Sequence, residues 1–375
     1  MNHRICIIAE DYPSENNPSF PFVQQLAYSL SNEGIECSII APQSISKSIV
    51  RNENIRKKYS IDVTPEKRLI YVYRPYVMTF SNTKNVFLNK LANYLYEVAI
   101  ARTMKKIGDI DAVYCYFWHI GLITANAIKK DNIRIYVQAS ECSISIVESY
   151  KKYELINRID GVVCASRKNY EESVYSGLIK PNSNTVIIPN GFREDEFYVM
   201  DKNKARDSLG IDKSIFIVAF VGDFNDRKGS RRLSNALDNY TDVYSIFIGK
   251  GNLEPDCNNI LFKGTVSHNE LVKYLNCADI FVLPTKAEGC CNAIIEAIAC
   301  GLPVVSSNKS FNDEILDDSY SIRIDENNVE QITRAIGVLK NDLLLRKKMS
   351  ENAANESQKF RITKRAEAIT RFIYR

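Results

Sequence analysis

Two glutamates, Glu288 and Glu296, stand eight residues apart where a predicted strand gives way to a predicted helix. The apolar run of residues 279–284 precedes them, and the helix is expected to begin about Asn292 and to end at Gly301. The first turns of a helix carry unpaired N–H groups and positive potential. The junction could therefore hold an anion on backbone amides while two carboxylates accept hydrogen bonds from hydroxyls. That combination suits a phosphate attached to a polyol. Either glutamate alone could equally be a solvated charge.

A second candidate site for an anion lies earlier in the chain. The apolar run of residues 216–221 ends in Gly222, and a short loop then carries Arg227, Lys228 and Gly229. Anion binding at a helix N-terminus needs close backbone approach, which the two glycines permit. A lysine there supplies the point charge that a departing diphosphate requires. A solvated cation pair remains the alternative for Arg227.

The elements that must position these residues follow a simple alternation of short apolar runs and longer helical patterns. The predicted strands of a first series are residues 5–9, 37–40, 69–73, 112–115, 133–138, 161–165 and 185–188. Those of a second series are residues 216–221, 244–248, 260–262, 279–283 and 303–306. Helical patterns include residues 22–32, 86–106, 169–176 and 270–277. Strands separated by helices imply parallel sheets, so the fold class is α/β with two doubly wound domains that meet near Gly191.

Composition agrees with a two-domain soluble protein. The chain has 375 residues, of which 45% are hydrophobic and 25% charged, and its formal net charge of +4 is too small for a dedicated nucleic-acid binder. One N-terminal region is rich in cations, namely Lys47, Arg51, Arg56, Lys57, Lys58, Lys67 and Arg68. A solvated loop is the ordinary interpretation of this cluster, and contact with an anionic membrane surface is the functional one.

The cysteines and the apolar runs indicate the compartment. The ten cysteines are scattered without a spacing suited to zinc, so we expect free thiols in a cytoplasmic protein. The first residues lack an export signal, and no stretch reaches the roughly 18 apolar residues of a spanning helix. Any membrane contact is therefore expected to be peripheral, at the inner face of the membrane.

The longer string around the two glutamates resembles a known signature. Glu288-Gly-Cys-Cys-Asn-Ala-Ile-Ile-Glu296, followed by an Ala-rich turn and Gly301-Leu-Pro303-Val, is similar to the donor site of the family-four retaining glycosyltransferases, which have the GT-B fold. The chain departs from that pattern at Cys290-Cys291. The resemblance implies two facing Rossmann-like domains with a cleft between them, an acceptor-binding domain of residues 1–188 and a nucleotide-sugar-binding domain of residues 189–356. Residues 357–375 would form a helix that packs back on the N-terminal domain.

Other motifs match the same family to different degrees. The string around Asn190 and Gly191 resembles its interdomain element and suggests hinge residues. Lys228 occupies the position of a lysine that grips the donor diphosphate. The family's arginine is replaced by Asp223, a departure for which Arg227 could compensate. A string of residues 264–270 contains the capping box of a helix.

Residues 264–270 have further expected roles. The backbone of Thr265 and Val266 would approach the donor's base by resemblance. The capping box consists of Ser267 and Glu270. His268 is expected at the exposed second position of the helix, without a catalytic role.

The resemblance is looser in the N-terminal half. Relatives carry a histidine that faces the reacting sugar, and His119 is the nearest candidate, although one alignment puts Tyr116 there. A packed or capping His119 is the alternative. Ser140 and Glu141 follow a predicted strand and are expected to contact the acceptor. The loop of residues 11–22 has no glycine and so cannot form the phosphate-binding loop of many relatives.

The resemblance implies a metal-independent, retaining glycosyltransferase of the hexosyltransferase type that needs no cofactor. Glu296 would hold ribose hydroxyls, and Glu288 would position the donor sugar together with the amides of Gly289, Cys290, Cys291 and Asn292. Lys228 and Arg227 would stabilise the diphosphate, and Gly222 would permit close approach of the backbone to it. The expected partners are a nucleotide-sugar donor and a glycan or lipid-linked acceptor in cell-surface polysaccharide synthesis. A nucleotide-sugar epimerase and a non-catalytic nucleotide-binding subunit remain alternatives.

Overall fold

A computed structural model describes residues 3–14, 19–50, 52, 54–80, 85–128, 132–144 and 153–375. The chain divides into two compact units. The N-terminal unit consists of Met1–Ala165, Asn169–Ile188 and Arg365–Arg375, and the C-terminal unit of Ser166–Lys168 and Pro189–Lys364. Arg51 and residues 15–18 of the loop 11–22 lie outside the described residues.

The N-terminal unit is built on a large sheet. Its strands are β1 (Arg4–Ile8), β2 (Glu36–Ile40), β3 (Gln43–Ser44), β4 (Tyr59–Val63), β5 (Leu69–Tyr73), β6 (Tyr76–Val77), β7 (Ala112–Tyr116), β8 (Arg134–Ala139), β9 (Gly161–Cys164) and β10 (Thr185–Ile187). Eight of them form one sheet in the order β10-β9-β8-β7-β1-β2-β5-β4, and β3 pairs with β6 separately. The described pairs are parallel except β4 with β5, which is antiparallel. The strand order reverses between β1 and β7, where ligands of open parallel sheets bind.

Both faces of this sheet are covered, as a doubly wound sheet requires. Successive residues of β1 alternate between two apolar clusters, because side chains in a strand point to opposite faces. Ile5 and Ile7 pack with one cluster, whereas Cys6 and Ile8 pack with the other. The helices of this unit are α1 (Pro21–Asn32), α2 (Ile45–Val50), α3 (Val86–Ile107), α4 (Trp118–Ala127) and α5 (Tyr153–Ile156).

Two helices have some residues in each of the two units. They are α6 (Arg167–Tyr175) and α13 (Ile362–Ile373). In α13, Ala366, Ile369 and Ile373 are buried in the apolar cluster that contains Ile5 and Ile7. The last part of the chain therefore packs on one face of the N-terminal sheet.

The C-terminal unit contains a second parallel sheet. Its strands are β11 (Phe216–Val221), β12 (Val243–Ile248), β13 (Ile260–Gly264), β14 (Ile280–Leu283), β15 (Val304–Ser307) and β16 (Ser321–Ile324). They lie in the order β13-β12-β11-β14-β15-β16, and every described pair is parallel. The order reverses between β11 and β14. The helices are α7 (Lys202–Leu209), α8 (Ser230–Leu237), α9 (His268–Cys277), α10 (Asn292–Ala299), α11 (Val329–Asn341) and α12 (Leu343–Ser357).

A buried ion pair fastens α7 to the start of β14. The Arg206 guanidinium donates to Asp279 Oδ2 at 2.8 Å, and both side chains are buried. Asp279 also accepts the Ile217 backbone N–H at 2.8 Å and pairs with Lys202 at 2.7 Å. These contacts join Asp279 to α7 and to the neighbouring strand β11, so they fix where β14 begins.

The α/β fold with two parallel sheets, predicted from the sequence, is confirmed. The predicted strands agree with the observed ones to within one or two residues. Four strands were missed, namely the edge strands β4 and β16 and the two-residue strands β3 and β6, and the prediction that all strands are parallel was wrong for β4. No helix in the described part of the chain is both long and apolar enough to cross a membrane.

Candidate functional site

The predicted donor residues lie where the strand order of the C-terminal sheet reverses. Residues 222–229 follow β11, and residues 284–291 follow β14. These two strands are neighbours in the sheet, so their following loops share the crevice at which open parallel sheets bind ligands. Residues about 60 positions apart in sequence are thereby brought side by side.

Two glycines allow the loops to pack closely. Gly222 has φ 155°, and a Cβ there would lie 3.2 Å from Cδ of Lys228, whose stem covers the glycine. Gly229 has φ 82° and caps α8, where a Cβ would lie 2.5 Å from the backbone oxygen of Pro284. A side chain at Gly229 would therefore push the two loops apart.

The Glu288 carboxylate is the centre of this site. Its Oε1 accepts from Lys228 Nζ at 2.7 Å, from Arg227 Nη1 at 3.0 Å and from Thr285 Oγ1 at 2.8 Å. Glu288 is only 7% exposed, and no described residue donates to its Oε2. Two cations surround one carboxylate, so the cluster carries one net positive charge. Thr285 was not singled out from the sequence, and only its position after β14 could have indicated it.

Lys228 is a protonated cation in this site. Burial alone would lower the pKa of its ammonium group, but the neighbouring Cys291 and Glu288 outweigh burial and leave the pKa above its ordinary value. Burial also raises the pKa of the Cys291 thiol to about 11, so this cysteine is neutral near pH 7. The Lys228 side chain is 13% exposed, which limits screening of its charge by solvent.

Arg227 lies against the same loop instead of extending into solvent as a member of a solvated cation pair. Its Nη1 donates to the backbone oxygen of Ala287 at 2.9 Å as well as to Glu288, and its side chain is 35% exposed. Asp223, at the position of the family's arginine, is exposed. The positive charge of the loop therefore comes from Arg227 and Lys228.

Asn190 fastens the loop that leads into α10. Its Nδ2 donates to Asn292 Oδ1 at 2.8 Å and to the backbone oxygen of Cys290 at 3.2 Å, and its backbone N–H donates to Cys290 Sγ at 3.3 Å. Cys291 is the N-cap residue of α10 and contributes no side-chain cap. The predicted donor loop of Gly289, Cys290, Cys291 and Asn292 is thus fixed from within the C-terminal unit.

Glu296 belongs to a second cluster, which the sequence did not reveal. His268 Nε2 lies 3.5 Å from Glu296 Oε1, and His268 Nδ1 lies 3.0 Å from Glu196 Oε2. These two carboxylates raise the pKa of His268 to about 10, so the imidazole is positively charged at neutral pH. His268 is the first residue of α9 and not the second. The sequence shows only a histidine at a helix start and acidic residues far from it in the chain, and no spacing within one element connects them.

The residues expected near the donor's base precede His268. Thr265 is exposed and Val266 half-buried in the turn between β13 and α9. The predicted capping box is present, with the Glu270 carboxylate accepting the Ser267 N–H at 3.2 Å. This turn is therefore connected to α10 through the contact of His268 with Glu296.

His119 is held by a neighbouring helix of the N-terminal unit. It is the second residue of α4, and its Nε2 lies 3.2 Å from Asn93 Oδ1 of α3. Burial, followed by the charge of Lys47, lowers the pKa of His119, so the ring is neutral at pH 7. Tyr116, the alternative from the sequence, is 2% exposed and packs in the core against Phe22.

Glu141 caps the start of α4. Its Oε1 accepts the Trp118 backbone N–H at 2.6 Å, and its Oε2 accepts the Ser140 backbone N–H at 2.9 Å. Burial raises the pKa of Glu141 to about 7, although these hydrogen bonds oppose the rise. The structure thus brings His119, Ser140 and Glu141 to one helix start, at the switch point of the N-terminal sheet.

Similarity to known proteins identifies the C-terminal unit. Residues 201–356 match the family of glycosyl transferases group 1. The chain carries a group 1 glycosyltransferase domain. It is 25% identical over 328 residues to a Bacillus subtilis protein named as the teichuronic acid biosynthesis glycosyltransferase TuaC, covering 81% of each chain. It is 24% identical over 232 residues to the alpha-galactosylglucosyldiacylglycerol synthase of Streptococcus pneumoniae, covering 57% of this chain and 60% of that one.

The fold is shared over the whole length. The structure of Anabaena Alr3699/HepE in complex with UDP matches this glycosyltransferase with a TM-score of 0.70 at 16% identity, covering 98% of both chains. The GT-B fold predicted from the sequence, with two Rossmann-like halves, is confirmed. The protein is a transferase of the glycosyltransferase class. Among the described residues, no group of three or more His, Cys, Asp and Glu side chains could hold a metal ion.

Proposed function

We propose that this glycosyltransferase is metal-independent and retaining, and that it moves a hexosyl group from a nucleotide-sugar to a glycan or lipid-linked acceptor. The observation that supports this proposal is the cluster at Glu288, where one carboxylate oxygen takes three donors and one net positive charge remains. A diphosphate brings negative charge to such a site. The Oε2 of Glu288, to which no described residue donates a hydrogen bond, can accept one from a sugar hydroxyl.

Each residue has a role in the proposed reaction. As the bond between the anomeric carbon and the diphosphate breaks, negative charge grows on the leaving phosphate. Lys228, Arg227 and the N-terminus of α8 stabilise that charge in a preorganised site. Glu288 and the amides of residues 289–292 position the sugar, while Glu296 accepts hydrogen bonds from the ribose. The acceptor hydroxyl attacks from the face that the diphosphate leaves and gives its proton to the departing phosphate oxygen, so the anomeric configuration is retained.

We further propose His119 as the N-terminal residue that faces the reacting sugar. A neutral imidazole can accept a hydrogen bond from a sugar hydroxyl, and the lowered pKa of His119 keeps it neutral at pH 7. Ser140 and Glu141, at the same helix start, would contact the acceptor. Because Glu141 also caps α4, its replacement is expected to affect folding as well as acceptor binding.

The names of the relatives support the acceptor class. One relative is named for teichuronic acid biosynthesis and another for a galactosylglucosyldiacylglycerol product. We therefore propose an acceptor in cell-surface polysaccharide or glycolipid synthesis, reached by peripheral contact of the protein with the inner face of the membrane. In the basic region, Lys47, Lys57, Lys58, Lys67 and Arg68 are exposed.

The sixth described cation of that region has a different environment. Arg56 is paired with Asp11 at 2.6 Å, and its side chain is 18% exposed. It also donates to the backbone oxygen of Tyr12 at 3.0 Å. Arg56 is therefore excluded from the surface that we assign to the membrane.

The test is sugar transfer by site variants. Glu288→Gln and Lys228→Ala should each lower turnover by orders of magnitude while the melting temperature shows a folded protein. Lys286→Ala is the matched control, because Lys286 lies in the same loop but pairs with the exposed Asp226 at 2.7 Å. Near-normal transfer by either site variant would contradict its role. Full loss of activity in EDTA, restored by a divalent ion, would contradict the metal-independent reaction.

A further inference from the structure

A second pocket lies in the N-terminal unit, separate from the residues assigned to either substrate. It has a volume of about 420 Å³ and lies between α3 and the segment that contains β6. Pockets of roughly 300–1,000 Å³ are the size that binds small organic molecules. The proposed function does not use this pocket.

One wall of the pocket is a single stripe of α3. Leu95, Val98, Arg102 and Lys106 line it at the spacing of residues on one helix face. The stripe is apolar in the middle of the helix and cationic toward its C-terminal end. A ligand lying along this stripe would meet an apolar surface at one end and positive charge at the other.

The opposite wall of the pocket also combines apolar side chains with a cation. Val77 and Met78 contribute apolar surface, and Lys58 contributes a third cation, whose Nζ lies 4.7 Å from the centre of the Tyr76 ring. None of the residues that line the pocket is acidic. Lys58, Arg102 and Lys106 make no ion pair with any residue in the part of the chain that the structure describes.

Both helices that line the pocket also expose large apolar residues. Ile45 of α2 lines the pocket, and the same helix continues to Ile49 and Val50, which are 69% and 85% exposed. The first turn of α3, which precedes the residues that line the pocket, exposes Val86 and Phe87 by 60% and 72%. Large exposed apolar residues beside unpaired cations are typical of proteins that bind at a membrane surface.

We propose that this pocket binds one anionic lipid of the membrane surface. Its phosphate lies against Arg102 and Lys106, and its hydrocarbon chain lies over Leu95 and Val98. Inorganic phosphate would use only the cations, and a neutral lipid only the apolar wall, whereas an anionic lipid uses both. This inference rests on the proposed membrane contact, but it does not depend on the donor site.

Binding is measured by sedimentation with vesicles of phosphatidylglycerol and phosphatidylcholine, and with vesicles of phosphatidylcholine alone. The full chain should bind the mixed vesicles and not the neutral ones. A cation near such a surface contributes about 1 kcal/mol, so Arg102→Gln with Lys106→Gln should weaken partitioning by roughly fivefold for each charge. The matched control is Lys347→Gln with Lys348→Gln, which removes the same charge from an exposed part of α12.

A soluble probe separates the pocket from general attraction to the membrane. Monomeric dihexanoylphosphatidylglycerol should raise the melting temperature of the full chain, whereas inorganic phosphate at the same concentration should not. Val98→Asp, which places a carboxylate in the apolar wall, should abolish this rise. Arg102→Gln with Lys106→Gln, at exposed positions, tests the same pocket without disturbing the core.

Several outcomes would overturn the inference. One is equal vesicle binding by the wild type and the Arg102/Lys106 variant, and another is an equal loss in the α12 control. A third is an octaglutamate peptide that displaces the lipid at equal concentration, which would indicate a protein partner. Nucleoside diphosphate binding by the same variants is measured in parallel. If the variants lose lipid binding but still bind the nucleoside diphosphate, the proposed transfer reaction is not affected. If instead the prediction for the donor site fails, the result on lipid binding still stands.

Discussion

Lys228→Gln is expected to weaken the binding of a nucleoside diphosphate by roughly 10- to 150-fold, because a hydrogen bond to a charged group contributes about 1.5–3 kcal/mol. The estimate applies because the Lys228 side chain is only 13% exposed and its charge is poorly screened. Arg227 is 35% exposed, so Arg227→Gln should cost about 1 kcal/mol, or roughly fivefold. The order of the two effects follows from burial alone.

Glu288→Gln should change nucleotide affinity in the opposite direction. In the structure, Lys228 Nζ lies 2.7 Å from Glu288 Oε1, so the carboxylate and a diphosphate compete for the same ammonium group. Neutralising Glu288 frees Lys228 and removes a repulsive charge. Affinity for the nucleoside diphosphate should therefore stay equal or rise, while sugar transfer falls because the donor sugar loses a partner.

Isothermal titration with UDP, GDP and ADP measures these affinities at low and at physiological salt. Lys286→Gln is the control, because it removes a half-buried lysine of the neighbouring loop that pairs with Asp226 and not with Glu288. The reasoning would be refuted if Lys228→Gln bound its nucleotide within threefold of the wild type. It would also be refuted if Glu288→Gln weakened nucleotide binding as strongly as Lys228→Gln does.

Three further predictions concern the C-terminal unit. His268 has a folded pKa of about 10 against an ordinary 6.5, so its ion pairs should stabilise the protein fully below pH 6.5 and lose that effect as the pH rises through 10. Because the His268 side chain is 40% exposed, the contribution is small. His268→Gln should cost about 1 kcal/mol in urea unfolding at pH 6 and almost nothing at pH 10.5. Asp279→Asn should cost about 3–5 kcal/mol in urea unfolding, because it leaves the buried Arg206 unpaired, whereas Asp242→Asn, which breaks a pair at an exposed carboxylate, should leave the unfolding curve nearly unchanged. Gly229→Ala should lower the free energy of unfolding by about 1–3 kcal/mol and also weaken nucleoside diphosphate binding; unchanged values for both would contradict the close packing of the two loops.

The central strands were predictable from the sequence because they are buried on both faces. Runs such as residues 216–221 and 280–283 are almost wholly apolar, and turn residues bound them. The four missed strands lack this signal, and β3 and β6 have only two residues each. β4 lies at the edge of its sheet and alternates between exposed and half-buried residues, while β16 has only four residues, one of them Arg323. A strand at the edge of a sheet is covered less completely than a central strand, so its sequence need not be apolar throughout.

The site was predictable only in part, for a different reason. Lys228 and Glu288 could be paired in advance because the family resemblance assigns both to one ligand. The contact of His268 with Glu196 and Glu296 joins three separate segments, and it depends on how α9 and α10 lie beside each other. The spacing of residues within one helix or strand cannot predict such an arrangement. The pocket of the N-terminal unit was hidden for the same reason, because β6 and α3 contribute its two walls.

The departures of this chain from the family pattern fall where the site does not require a particular side chain. Cys290 and Cys291 replace other residues in the loop before α10, but an anion there would be held by backbone amides, and the Cys291 thiol is neutral. Asp223 replaces an arginine, yet the Arg227 guanidinium reaches Glu288 from four residues further along the same loop. With Lys228 also present, the cluster keeps one net positive charge. What a departing diphosphate needs is positive charge at the switch between β11 and β14, and two different positions of one loop can supply it.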